Sequence, residues 1–88
     1  SQTVEFKVSF QKEVIESVVA FANAKGGKIF IGIKDNGEII GVEVQQESIQ
    51  NWINQIKLNT QPSIVVDIEL VTLEDIDIVI IDVKEYPL

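Results

Sequence analysis

Glu5-Phe6-Lys7 sets a carboxylate and an ammonium two residues apart, which in an extended chain means the same face. Such a pair can hold a phosphate or share a divalent cation, and many metal-dependent nucleases use Glu-x-Lys in this way. In those enzymes a metal-binding aspartate usually stands earlier in the chain, and here no acid precedes Glu5. Asp35 is the candidate second carboxylate, supplied from the end of a neighbouring strand. Two carboxylates suffice for weak binding of Mg²⁺ or Mn²⁺, because magnesium keeps several of its waters. The plain alternative is a surface ion pair, with an aspartate that merely builds its turn. Other chemistries are excluded by composition. The chain has no cysteine and no histidine, so disulfides, structural zinc and Ser–His or Cys–His catalysis are absent.

A second candidate is Ala24-Lys25-Gly26-Gly27-Lys28, which invites comparison with a phosphate-binding loop. The order is wrong. A Walker loop follows a strand, opens a helix and ends in Gly-Lys-Ser/Thr, whereas these glycines follow a helix and open a strand. A helix C-cap with a tight turn is the better reading. The third candidate is charge. Residues 1–34 carry five lysines and three glutamates, a net +2, while residues 35–88 carry two lysines and eleven acids, a net −9. Lys7, Lys12, Lys25, Lys28 and Lys34 are therefore the candidate nucleic-acid-binding residues, set against a net charge of −7. The chain contains no arginine, so it lacks the fork that reads guanine or clamps phosphate bidentately. Phe6, Phe21 and Phe30 read as core, which leaves no aromatic beside those lysines and predicts sequence-tolerant, salt-sensitive binding. The bland alternative for all five lysines is solvated surface.

These residues need elements to position them. Isoleucine and valine together make up 27 of 88 residues, which favours strands. Thr3–Val8 alternates apolar and polar, the mark of a half-buried strand. From Gln11 to Asn23 the period becomes helical, with Val14, Val18 and Phe21 on one stripe, Ser9 as N-cap and Gly26 as the left-handed C-terminal residue. Lys28–Lys34 is apolar on both faces and should be a central strand. Asp35-Asn36-Gly37 signals a hairpin into a short strand, Ile39–Val42. A second helix is expected over Glu47–Asn59, ended by Pro62. Ile64–Val71 and Ile76–Val83 should form an antiparallel pair around Leu73-Glu74-Asp75. The expected order is β-α-β-β-α-β-β, a single compact α+β domain with a mixed sheet and two packed helices.

Apolar residues are 45% of the chain, enough for a packed core, and no repeat or linker interrupts it. The longest apolar run is five residues, Val18–Ala22, far short of the ~20 a membrane helix needs. The segment Ser1–Glu5 lacks the basic and apolar regions of a secretory signal, so the expectation is a soluble cytoplasmic protein with no membrane partner.

Several motifs together resemble the Schlafen AlbA-type domain. They are Val4-Glu5-Phe6-Lys7, Ala20-Phe21-Ala22-Asn23 closing a helix, Gly26-Gly27, Ile31-Gly32-Ile33, Asp35-x-Gly37 and Ile40-Gly41-Val42. The later helix, Pro62, and a strand running to Val83 and Pro87 fit as well, so the resemblance spans nearly all of residues 1–88. It implies a DNA-binding module of a transcriptional regulator or helicase-related protein, cut from the N-terminal part of a longer chain. Some animal members are metal-dependent endoribonucleases with three carboxylates. Glu5 matches the second and Asp35 the third, while the first would fall one position before Ser1. The primary expectation is thus a nucleic-acid-binding module for DNA or RNA, with Mg²⁺ or Mn²⁺ at Glu5 and Asp35 the one candidate cofactor. The alternatives are a metal-dependent nuclease using Glu5, Asp35 and Lys7, and an assembly module whose Ile/Val-rich strands pair with a second copy as a homo-oligomer.

Overall fold

The computed structural model describes residues 3–86. In chain order the elements are β1 (Thr3–Lys7), α1 (Lys12–Asn23), β2 (Gly27–Ile31), α2 (Gln46–Leu58), β3 (Asp67–Leu73) and β4 (Ile76–Val83). The four strands form one sheet in the order β1-β2-β4-β3, parallel between β1 and β2 and antiparallel elsewhere. The domain is α+β with two helices and a mixed sheet, as the hydrophobic periodicity predicts.

The strands with the most buried residues lie in the middle. β2 and β4 turn Ile29, Ile31, Val79, Ile81 and Val83 toward α1, whose Val14, Val18, Phe21 and Ala22 close over them. Ile56 of α2 joins this cluster with Ile64 and Val66, so both helices contribute to one core. The opposite sheet face carries the buried Ile78 with Phe6, Phe30 and Ile80, half-buried, and none of these four joins the helix-covered cluster. α1 ends through Gly26, at φ +81, whose amide donates to the Phe21 carbonyl at 2.8 Å. The β3–β4 turn places both Glu74 and Asp75 at positive φ, 50 and 67, the backbone of a type I′ hairpin.

Three expectations are corrected. No strand forms over Ile39–Val42; only a single bridge, Ile33 to Ile39, remains. The reason is Gly32, at φ +103, which ends β2 three residues earlier than Lys34 and accepts the amides of both Ile40 and Gly41 on its carbonyl. The chain crosses itself there at a glycine–glycine contact, and the observed order is β-α-β-α-β-β. β3 starts at Asp67, because the Ile64 amide is taken by the Thr60 hydroxyl at 2.8 Å instead of a neighbouring strand. Finally, α1 is capped by Gln11 without a side-chain bond, while Ser9 only accepts from the Gln11 amide. Pro87 lies outside the described residues.

Candidate nucleic-acid interface

Glu5 and Lys7 are brought together on the helix-covered face of β1, level with Ile29 and Ile31 of β2. The Ser17 hydroxyl of α1 donates to Glu5 Oε2 at 2.6 Å, and the Lys7 ammonium stands 3.7 Å from the same oxygen. Edge-strand placement explains this chemistry: on β1 the sheet runs out from under α1, so a carboxylate can face the helix and still touch water. Sequence context alone does not single out Ser17, although it occupies the stripe position between Val14 and Phe21 where an apolar residue would be expected. Ser17→Ala should cost about 1 kcal/mol, since one hydrogen bond is lost and the half-exposed carboxylate rehydrates in part. A urea midpoint shift checks it, and no shift would mean that water replaces the hydroxyl fully.

Asp35 lies in the exposed turn four residues past the end of β2, whereas Glu5 is level with the middle of that strand. Among the described residues no three acids come together as a metal-binding group. The Glu5 carboxylate is already engaged by a hydroxyl and an ammonium.

The five candidate lysines do not make one surface. Lys7 faces α1, while Lys28, one residue before Ile29 in β2, points to the opposite face of the sheet. Lys12 opens α1 and Lys25 follows its end, about 18 Å along a helix of twelve residues. Lys34 stands at the Lys7 end, where the neighbouring Ile33 amide donates to the Lys7 carbonyl at 3.2 Å, and it is paired with Glu38 at 3.5 Å. Lys25 and Lys28 gain a companion that the sequence pattern alone did not reveal. β4 pairs Val83 with Gly27, which brings Lys84 against the glycine turn, its Cα 3.3 Å from where a Gly26 side chain would begin. Among the described residues Lys25, Lys28 and Lys84 have no ion pair. Asp82, cross-strand from Lys28, and Glu85 border the group.

The aromatic expectation holds for Phe21 and fails for its two companions. Phe6 and Phe30 are half-buried on the face without a helix, edge to face with centroids 6.0 Å apart. Phe10, two residues before Lys12, is stacked on Trp52 of α2 at 4.8 Å and 5° between planes. Sequence periodicity assigns Trp52 to a helix stripe, but it cannot show that Phe10 reaches across from another element.

A two-layer α+β domain with a parallel edge strand, an engaged carboxylate–ammonium pair and a lysine group at its glycine turn is the class that the fold and site define. The chain belongs to the Schlafen AlbA_2 family, whose model matches residues 1–88. Its fold is similar to that of the DIP2311 protein from Corynebacterium diphtheriae, with a TM-score of 0.81 and 21% identity over 97% of this chain. It is also similar to the N-terminal domain of a RecG-related, helicase-like protein from Nitrosomonas europaea, with a TM-score of 0.76 and 22% identity over 93% of this chain. The matched region is 20% of the first structure and 62% of the second. No curated protein matches the chain. No helix among the described residues is long and apolar enough to cross a membrane.

Proposed function

We propose that this domain is a nucleic-acid-binding module, with duplex DNA its first candidate target, and that Lys25, Lys28 and Lys84 supply the contact. The observation that carries the reading is the placement of three lysines, without ion pairs among the described residues, around the Gly26-Gly27 turn and the end of β4 paired with it. Membership of the Schlafen AlbA_2 family and the helicase-like neighbour support it, and they favour a setting in a regulator or a helicase-related protein. Three lysines can neutralise at most three phosphates. The slope of log K against log salt is then no steeper than about −2.7 on duplex DNA. Asp82 and Glu85 beside the group keep the affinity low.

Anisotropy of a labelled duplex, titrated at low ionic strength, tests the reading. Lys25→Glu together with Lys28→Glu should abolish binding, and Lys84→Gln should flatten the salt slope by about 0.9. Lys25 and Lys84 are exposed and Lys28 is half-exposed, so the fold should survive these changes. An unchanged isotherm for the double variant overturns the assignment.

A further inference from the structure

The outer surfaces of α1 and α2 meet in a groove of about 380 Å³ between Phe10, Lys12, Trp52, Gln55 and Asn59. It continues along α1 into a second hollow of about 390 Å³ that shares Lys12, Ile15 and Asn59. Both volumes fall in the range of small-ligand sites. Three properties of the walls identify what fits. Phe10 and Trp52, both in the groove wall, are stacked nearly parallel and remain half-exposed; each covers one ring face of the other, so a planar group can stack only on an outer face of the pair. Asn59 spends its amide N–H on the Gln55 carbonyl at 2.8 Å, which leaves its Oδ1 free, and the Gln55 side chain makes no hydrogen bond among the described residues. Lys12 has no ion pair there, and Glu16, one helical turn on, limits the positive charge to a single phosphate.

A flat aromatic floor, amides with spare donors and acceptors, and one ammonium at the rim match an unpaired nucleobase with its phosphate. Base stacking tolerates any base because every base has a π face, while the amides answer the hydrogen-bonding edge. A duplex would not fit, because its bases are already stacked and paired. We propose that the α1–α2 groove is a binding site for one unpaired nucleotide, with the base on the Phe10–Trp52 pair, the base edge on Gln55 and Asn59, and the phosphate at Lys12. The site rests on the nucleic-acid reading above for the source of the base. It lies at the other end of α1 from Lys25, so each can be tested without the other.

Trp52 is the only tryptophan of the chain, so its emission reports on this groove alone. AMP and UMP at millimolar concentration should quench it, and single-stranded oligonucleotides should do so at lower concentration if the base comes from a strand. Inorganic phosphate should leave it unchanged. Lys12→Gln with Gln55→Ala, both exposed positions, should weaken quenching about tenfold while leaving the circular dichroism unaltered. Phe10→Leu keeps the apolar packing of α2 and should also reduce it. Emission unmoved by every base-bearing probe, or moved equally by phosphate, overturns the proposal. Duplex binding through the lysine group that leaves Trp52 silent towards single strands keeps the earlier reading and overturns this one.

Discussion

Gly26→Ala should destabilise the domain by about 3 kcal/mol or more, one of the largest losses available to a single methyl group. Two costs add at this position. At φ +81 an L-residue pays roughly 1–2 kcal/mol for the left-handed conformation. The new Cβ would also meet the Val83 carbonyl oxygen, with Glu85 N at 3.2 Å and Lys84 Cα at 3.3 Å. All three atoms are backbone, so no rotamer relieves the contact, and the C-terminal segment is tied in place by the Tyr86 amide donating to Ala22 at 2.8 Å. For a domain of this size each kcal/mol is worth about 4–8 °C, so the melting temperature should fall by roughly 12–24 °C. Gly37→Ala is the matched control. It shares the positive φ, +91, but its Cβ would meet nothing within 4 Å, so only the conformational cost remains. Equal losses in the two variants would show that the end of β4 yields to the new methyl group without cost.

The second large effect is at Ile56, where truncation to alanine should cost about 3–5 kcal/mol. Ile56 is fully buried, and Ile49, the other buried residue of α2, still shows 7% exposure. Most of the remaining helix surface is polar and faces water, so its attachment depends on few side chains. A domain of this length has roughly 4–13 kcal/mol of stability in all, so the loss would be a large share of it. It should also be uneven. Thr60 accepts from Ile64 and donates to the Ile56 carbonyl at 2.8 Å, which couples the end of α2 to the approach of β3. In Ile56→Ala the amides of α2 should therefore exchange with solvent well ahead of those in β2. Uniform exchange across the domain would count against this local attachment.

Period and punctuation made most of the fold legible. Val14, Val18 and Phe21 mark α1, and the two-sided apolar pattern of Lys28–Lys34 identifies β2 as central, because side chains of strands on either side shield both of its faces. Glu74-Asp75 between apolar runs announces the last hairpin. What stayed hidden depends on contacts between distant residues. Ile39–Val42 has the composition of a strand, but Gly32 and Gly41 pack backbone to backbone and turn the chain away before a ladder can form. The candidate site divides in the same manner. Glu5 and Lys7 share a face through simple alternation, and they do meet. Lys7 and Lys28 share the basic first third of the sequence, but alternation along the paired strands sends them to opposite sides of the sheet. Lys84, Ser17 and the Phe10–Trp52 pair could be recognised only once the register and the helix docking were known.

The mixed sheet also divides the chain by how it must assemble. β3 and β4 are joined by a two-residue turn, and β1 and β2 by a single helix, so each pair closes a short loop. Among the described residues the one ladder between these halves is β2 with β4, five residue pairs from Gly27–Val83 to Ile31–Val79. Even its nearest partners are 48 residues apart in sequence. Loop-closure entropy falls mainly on that step, after which α1 and α2 can close over the joined strands. The central ladder is thus both the most buried part of the domain and the last pairing that chain entropy allows, which places the folding barrier at the meeting of two units already formed.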